Sequence, residues 1–188
     1  MKQYTAAVIG CGGIGFSWDL DPGRVKPAAH LGALSQNPRI RLVGAAETAG
    51  KKRAAVARAF PRLAVFASAQ ELFKKVTPDI VVVATPDQRH GSLVRLAAQH
   101  KTRLILCEKP LATTLRDGQS AIRACTRHGS LLLVNHMRRF DPLLARLQRS
   151  VREGTFGKIQ LARVLYVNGL LNGGTHAVDL LRWYLGDI

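Results

Sequence analysis

Short apolar runs alternate with longer amphipathic stretches over the first 135 residues of the chain. The apolar runs predict six strands, at Thr5–Ile9, Arg41–Ala46, Leu63–Phe66, Ile80–Ala84, Arg103–Cys107 and Leu131–Asn135. Several of them are apolar on both faces, which is typical of parallel strands covered by helices on both sides. The stretches between and after them predict helices at 28–36, 50–60, 69–75, 88–100, 114–128 and 141–153. This alternation predicts an α/β domain with a doubly wound parallel sheet.

After residue 154 the pattern changes. Gly154 and Gly157 predict a turn, Lys158–Val167 predicts one long strand, and residues 175–185 predict a helix. We therefore expect a second domain of the α+β class. The predicted domains are 1–136 for the doubly wound sheet and 137–188 for an incomplete second domain.

A glycine-rich turn follows the first predicted strand directly. It consists of Gly10, Cys11, Gly12, Gly13, Ile14 and Gly15, which form the pattern G-x-G-x-x-G. The first glycine permits a tight turn, the second lets the backbone approach a pyrophosphate, and the third permits close packing of helix on strand. N–H groups at the N-terminus of the next helix then face the phosphates. The turn predicts a Rossmann-type dinucleotide site, although glycine-rich turns also occur for packing reasons alone.

Glu47 ends the second predicted strand, where a dinucleotide site carries an acidic residue that accepts hydrogen bonds from the ribose hydroxyls. It lies 32 positions after Gly15, whereas about 20 is usual. Residues 16–27 predict a loop inserted before a helix that begins near Ala28, and this insertion explains the excess. The alternative is that Glu47 is an ordinary surface carboxylate.

The cofactor predicted from Glu47 is NAD, because a carboxylate at this position repels the 2′-phosphate of NADP. Lys51, Lys52 and Arg53 follow closely and could hold that phosphate. NADP therefore remains the alternative cofactor.

The chain is strongly basic, with 28 Lys and Arg against 12 Asp and Glu and a net charge of +16. Clustered cations would favour nucleic acid, because they neutralise phosphates and release counterions. Here the cations are dispersed, aromatic residues make up only 6% of the chain, and no known nucleic-acid module is present. We predict no nucleic-acid binding and interpret the charge as a basic surface that favours anionic ligands.

The chain contains no stretch approaching the roughly 18 uninterrupted apolar residues of a membrane helix. The apolar stretch after Lys2 continues into glycines rather than a signal-peptide cleavage site. Cys11, Cys107 and Cys125 are too few and too scattered for a disulfide framework or a zinc site. We expect a cytoplasmic protein with reduced thiols, no metal site and no membrane association.

Three further motifs accompany the glycine-rich turn. Ala84-Thr85-Pro86-Asp87 with His90 ends the fourth strand, Cys107-Glu108-Lys109-Pro110-Leu111 ends the fifth, and Gly-Gly-Thr-His-Ala-Val-Asp-Leu-Leu-Arg-Trp at 173–183 opens the last helix. Ligands of an open α/β sheet bind beyond the carboxyl ends of its strands, where the first two motifs lie. Together the four motifs resemble the Gfo/Idh/MocA oxidoreductases, the family of glucose–fructose oxidoreductase and inositol dehydrogenase.

The resemblance implies roles for the residues at these strand ends. Thr85, Pro86, His90 and Glu108 take cofactor-binding positions, and Lys109 contacts the reacting hydroxyl and the nicotinamide ribose. It also implies a cis bond between Lys109 and Pro110, an isomer that proline tolerates at modest cost. The alternative is that Lys109 is a surface cation beside Glu108.

His176 is the candidate general base, because an imidazole can take a hydroxyl proton while hydride leaves the same carbon. Members of the family usually carry Asp four residues earlier, whereas this chain has Asn172, which can bind a hydroxyl but cannot accept its proton. Asp179, one helical turn later, could face the imidazole instead. Alternatively, His176 only packs against its helix.

His136 and Arg139 follow the sixth strand, where they could approach the substrate or form a polar domain junction.

These observations predict an NAD(P)-dependent oxidoreductase that moves a hydride between nicotinamide and a hydroxyl carbon of a sugar, sugar nucleotide or cyclitol. Lys109, His176 and Asn172 are its predicted catalytic residues. The alternative is a non-catalytic or degenerate dinucleotide-binding protein. Relatives carry a larger second domain, so we expect a truncated piece of a longer enzyme. An unpaired strand tends to associate, and we expect a homo-oligomer.

Overall fold

Six strands form one sheet in the order β3-β2-β1-β4-β5-β6. The structure, a computed structural model, describes residues 2–187. The strands are β1 (Tyr4–Ile9), β2 (Ile40–Ala46), β3 (Val65–Phe66), β4 (Ile80–Val83), β5 (Leu104–Glu108) and β6 (Leu131–Asn135). β1 pairs in parallel with both β2 and β4, β2 pairs in parallel with β3, and β4 with β5. This is the strand order of a Rossmann sheet, and the predicted fold class is confirmed.

Five helices connect these strands. They are α1 (His30–Gln36), α2 (Gly50–Ala59), α3 (Ala69–Lys75), α4 (His90–Gln99) and α5 (Leu115–His128), with short 3-10 turns at Ser17–Leu20 and Asp87–Arg89. Each corresponds to a predicted helix, and the bounds differ by no more than two residues.

Alternate side chains of the central strands enter two separate apolar clusters. Val81 and Val83 of β4 join the cluster formed with α3, α4 and α5. Val82 joins a second cluster, which includes Leu31 of α1 and Val56 of α2. Both faces of the sheet are therefore covered by helices, which explains why β4 is apolar at every position.

The predicted insertion interrupts the first helix of the fold. The carbonyl of Ile14 accepts a hydrogen bond from the amide of His30 at 2.8 Å, and that of Gly15 accepts one from Leu31 at 3.1 Å. In an unbroken helix these carbonyls would bond the amides four positions ahead, which are residues 18 and 19. The helical turn begun by the glycines therefore resumes twelve residues later, in α1. This length matches the excess in the spacing of Glu47, and the insertion is confirmed.

Asp19, within the insertion, binds backbone amides at the start of α1. Its Oδ1 accepts hydrogen bonds from the amides of Ala28 at 2.7 Å and Ala29 at 3.1 Å, and its Oδ2 accepts one from Gly32 at 3.1 Å. The first amides of a helix have no acceptor within the helix itself. The insertion thus supplies the carboxylate that α1 needs at its start.

The chain divides into two compact units, with the division between Val134 and Asn135. The second unit contains a 3-10 turn at Met137–Phe140, helix α6 (Pro142–Arg152), a π-helical turn at Leu170–Gly174 and helix α7 (Thr175–Leu185). The helices predicted for this part are confirmed. Among residues 2–187, no helix has the length and apolar character to cross a membrane.

The long strand predicted at Lys158–Val167 is wrong. Gly154 and Gly157 form the predicted turn with φ of +72° and +67°, but the residues that follow have no strand pairing in the described chain. A strand forms only where a neighbour bonds its N–H and C=O groups. The second unit offers no such neighbour among its described residues, and Leu161 and Leu165 of the segment are exposed. An alternating pattern indicates strand preference, whereas pairing decides whether a strand forms.

Candidate functional site

A groove of about 780 Å³ runs along the carboxyl ends of β1, β2 and β4. This volume lies within the range of about 300–1,000 Å³ that is usual for ligand sites. Its lining comes from the glycine-rich turn, the end of β2, the starts of α2 and α3, and the turn after β4. The lining includes Gly10, Gly12, Gly13, Ile14, Trp18, Glu47, Lys52, Thr85, Pro86 and Arg89.

Three of the four glycines in the turn are required by packing. Gly10 has φ of +94°, and a Cβ there would lie 2.5 Å from the carbonyl oxygen of Ala84. A Cβ on Gly15 would overlap the carbonyl oxygen of Gly10. A Cβ on Gly13 would lie 2.7 Å from the indole nitrogen of Trp18. These glycines let the chain turn tightly and pack on itself.

Gly12 is different, because no part of the protein fills the space beside it. The nearest atom to a Cβ at this position is Nζ of Lys52, 4.0 Å away. No packing contact therefore requires glycine at position 12. The open space faces the groove and lies next to a cation, which suits an anionic group such as a phosphate.

Glu47 lies at the end of β2 with its carboxylate held over the turn. Its Oε2 accepts a hydrogen bond from the amide of Cys11 at 2.8 Å, and its Oε1 accepts one from the amide of Ala49 at 2.9 Å. A carboxylate offers about four acceptor positions, so Glu47 retains capacity for the hydroxyls of a ligand. The side chain of Cys11 is buried, and this burial, with Glu47 nearby, raises the pKa of its thiol to about 12. Cys11 therefore acts through its backbone amide, which holds Glu47, and not through a thiolate.

The three cations after Glu47 differ in placement. Lys52 lines the groove. Arg53 instead donates to the carbonyl oxygens of Glu47 at 3.0 Å and Thr48 at 2.6 Å. Lys51 is exposed. Lys52 is thus the member of this run placed to meet a phosphate in the groove.

His90 does not face the groove. Its side chain is only 1% exposed, with Nδ1 2.6 Å from the carbonyl oxygen of Pro110 and Nε2 2.8 Å from that of Thr85. The cofactor-binding role of His90 stays a prediction. The ring instead joins the turn after β4, where Thr85 and Pro86 line the groove, to the turn after β5, which carries Lys109.

Glu108 and Lys109 end β5 and begin that second turn. Oε1 of Glu108 lies 2.8 Å from Nε2 of His30, and both side chains are largely buried. The Lys109–Pro110 peptide bond is cis, as the resemblance implies. Lys109 itself is half-buried. Histidines from α1 and α4 thus hold the turn that carries Lys109 on both sides.

The second unit carries a cluster of polar side chains around Asp179. Asp179 accepts hydrogen bonds from Nε and Nη2 of Arg139, the shortest at 2.7 Å, and these bonds raise the pKa of the guanidinium. Nδ1 of His136 lies 3.6 Å from Asp179, and the rings of His136 and His176 meet edge to face with centroids 6.3 Å apart. That Asp179 also faces His176 stays a prediction. Its carboxylate engages Arg139 and His136, and His136 packs against His176.

Asn172 lies in the π-helical turn that leads into α7. It is exposed, and its carbonyl oxygen accepts a hydrogen bond from the hydroxyl of Thr175 at 2.9 Å. Gly173 and Gly174 of the same turn pack against Val167 and Tyr166. Asn172 and His176 thus lie on consecutive elements of one motif.

A family model described as "Oxidoreductase family, NAD-binding Rossmann fold" (GFO_IDH_MocA) matches residues 4–136. The chain belongs to this family. The resemblance to the Gfo/Idh/MocA oxidoreductases drawn from four short motifs is thereby confirmed, as is the NAD-binding class of its cofactor.

Two similar proteins are a sugar dehydrogenase and a cyclitol dehydrogenase. The chain is 30% identical to a D-apiose dehydrogenase of Paraburkholderia graminis, over 100% of this chain and 51% of the relative. It is 32% identical to inositol 2-dehydrogenase 2 of Saccharopolyspora erythraea, over 96% of this chain and 53% of the relative. The chain thus spans about half the length of these curated relatives.

A solved structure shows the same fold. The WlbA dehydrogenase from Bordetella pertussis, in complex with NADH and UDP-GlcNAcA, superposes with a TM-score of 0.84 at 26% identity. The match covers 98% of this chain and 59% of that protein. An oxidoreductase from Agrobacterium radiobacter, at 22% identity and a TM-score of 0.80, shares the fold over all of this chain and 56% of its own.

The groove of this Gfo/Idh/MocA chain fits a nicotinamide dinucleotide. It offers open space at Gly12 for a phosphate, a cation at Lys52 and an acceptor for hydroxyls at Glu47. Trp18 and His30 were not predicted as site residues. Contacts formed in the fold reveal them, since the indole of Trp18 lies on Gly13 and the ring of His30 contacts Glu108, 78 positions away.

Proposed function

We propose that the chain binds NAD(H) in this groove and belongs to an enzyme that oxidises or reduces a hydroxyl carbon of a sugar, sugar nucleotide or cyclitol. The bound nicotinamide would accept or donate the hydride. The observation that carries the proposal is Gly12, where glycine has no packing role and the open space faces both the groove and the ammonium of Lys52. The named relatives support this substrate class, since they act on apiose and inositol.

Each part of the cofactor and substrate would be bound by different residues of the chain. Gly12 and Lys52 would hold the diphosphate, since a backbone free of side chains and a nearby cation both favour an anion. Glu47 would accept hydrogen bonds from the adenosine ribose, and Thr85 and Pro86 would line the path toward the nicotinamide. At the reacting end, Lys109 would bind the hydroxyl.

His176 would remove the hydroxyl proton as the hydride departs. Its ring packs against that of His136, which lies beside Asp179. The positive charge that His176 gains with the proton would therefore lie near a carboxylate. Asn172 would bind a neighbouring hydroxyl of the substrate. These assignments stay predictions, as do the domain division at 136 and the homo-oligomer.

The test compares two glycine-to-alanine variants of the protein by calorimetric titration with NAD⁺ and NADH. Gly12→Ala should weaken binding at least about tenfold by filling the space for the phosphate, a loss of roughly 1.4 kcal/mol. Its free energy of unfolding should remain close to wild type, because the new Cβ meets no protein atom closer than 4.0 Å. Gly118→Ala is the matched control, since its Cβ would make ordinary contact with Ala112 at 3.7 Å. Wild-type affinity in Gly12→Ala would refute the proposal.

A second candidate is a dinucleotide-binding protein without catalytic activity. Asn172 favours it, because the family usually carries a carboxylate there and an amide cannot accept a proton. Asn172→Asp distinguishes the two candidates. A rise in turnover from a low level would indicate a weakened catalyst, whereas binding without turnover in both forms would favour the second candidate.

A further inference from the structure

Trp18, within the insertion after the glycine-rich turn, lines the cofactor groove. The edge of its indole lies on Gly13, with Nε1 2.7 Å and Cε2 2.8 Å from the position a Cβ would take. Gly13 is the residue after Gly12, whose open space is the predicted phosphate position.

Trp18 is held in this position by four separate contacts. Its amide donates to the carbonyl oxygen of Gly13 at 3.0 Å, and its own carbonyl accepts from Nζ of Lys26 at 3.0 Å. The guanidinium of Arg24 stacks over the ring at 4.3 Å, a cation–π contact. The indole edge on Gly13 is the fourth contact. Two of these contacts hold the backbone of Trp18 and two hold its ring, so a residue that is 37% exposed is positioned before any ligand arrives, which lowers the entropy cost of binding.

The surroundings of the indole suit an anion. The guanidinium of Arg24 lies on the face of the ring and also pairs with Asp21 at 3.2 Å. Nζ of Lys26 donates to the main chain of Trp18, and Lys52 of α2 approaches the same stretch of the turn. An indole N–H is a donor only. A ligand group beside Gly12 and Gly13 that can use this donor must be an acceptor, and the diphosphate of a dinucleotide provides one.

We propose that Trp18 is a cofactor-contacting residue, whose indole N–H donates to the diphosphate of the bound dinucleotide. The inference rests on the proposed function, because it requires a dinucleotide in the groove. It goes beyond that function by giving the insertion a part in binding. If the indole served only as packing for Gly13, its N–H would not respond to a phosphate.

The chain has two tryptophans, which makes the test direct. Protein labelled with ¹⁵N at tryptophan gives two indole N–H resonances, assigned by Trp18→Phe or, equally, by Trp183→Phe. On titration of the wild type with NAD⁺, the Trp18 resonance should shift downfield. ADP should reproduce the shift, and adenosine, which lacks phosphate, should not. The shift itself is measured on the wild type, and either one of the two variants is enough for the assignment.

Affinity gives an independent measure. A hydrogen bond to a charged group contributes about 1.5–3 kcal/mol, so Trp18→Phe should weaken NAD⁺ binding at least about tenfold. Trp183→Phe is the matched control and should bind as the wild type does. Tight NAD⁺ binding with an unmoved Trp18 resonance and an unchanged affinity in Trp18→Phe would overturn the inference alone. Absence of NAD⁺ binding in the wild type would overturn the proposed function together with it.

Discussion

His30 at the start of α1 and Glu108 at the end of β5 are joined through their side chains, with Nε2 2.8 Å from Oε1. α1 continues the helical turn of the glycines, and Glu108 directly precedes Lys109. The pair therefore links the glycine-rich turn to the turn that carries the predicted catalytic lysine. This pair forms because α1 continues the helical turn after the insertion. The amide of His30 bonds the carbonyl of Ile14, as the amide of residue 18 would in an unbroken helix.

Loss of this pair should destabilise the protein. His30→Ala removes the hydrogen bond from the imidazole to the largely buried Glu108 carboxylate, and a loss of this kind costs about 1–3 kcal/mol. Urea denaturation should show a decrease of that size in the free energy of unfolding. His30→Gln, which can still donate an N–H, should retain most of the stability. Equal losses in both variants would show that the ring packs there and that its hydrogen bond matters little.

Cofactor choice should depend on Glu47. Calorimetry on the wild type should give tighter binding of NAD(H) than of NADP(H), because the carboxylate repels a 2′-phosphate. Glu47→Ser should reduce that preference by about tenfold or more, the value of one hydrogen bond to a charged group. Lys52→Ala should weaken both cofactors alike if it binds the diphosphate. A selective loss of NADP(H) would instead assign Lys52 to the 2′-phosphate.

Stability should fall in alkali because of two buried thiols. Burial raises the pKa of Cys11 and Cys107 from 9.0 to about 12. Between those values the unfolded chain has lost protons that the folded chain retains, so the free energy of unfolding falls as the pH rises. Denaturation curves across this interval should show a shallower decline for the double variant Cys11→Ala/Cys107→Ala. An identical decline would assign the effect to other groups.

Catalysis should depend on Lys109 and His176, whereas cofactor affinity should not. General acid–base groups contribute about 10²–10⁴-fold, so Lys109→Ala and His176→Ala should each lower kcat by that order with inositol or an aldose as substrate. NAD(H) affinity should stay close to wild type in both. Lys74→Ala, on the exposed side of α3, is the control. Near wild-type turnover in His176→Ala would remove His176 from the role of general base.

Much of this arrangement could be predicted from local sequence patterns. The runs of apolar residues determined all six strands and their helices, since burial of both sheet faces leaves a continuous apolar signature. The glycine spacing determined the turn, because only glycine allows the φ of Gly10 and its approach to Ala84. The displaced position of Glu47 even indicated the length of the insertion before its structure was known.

Other features were decided only by the tertiary structure. The segment Lys158–Val167 has the pattern of a strand, yet strands form by pairing and the described chain gives it no partner. His90 follows a cofactor motif, yet its ring nitrogens meet two backbone carbonyls that belong to different turns. His30 and Glu108 are 78 positions apart, and no local pattern indicates that the indole of Trp18 lies on Gly13. Local periodicity reports which face of an element is buried, whereas the choice of partner depends on which elements the sheet order brings together.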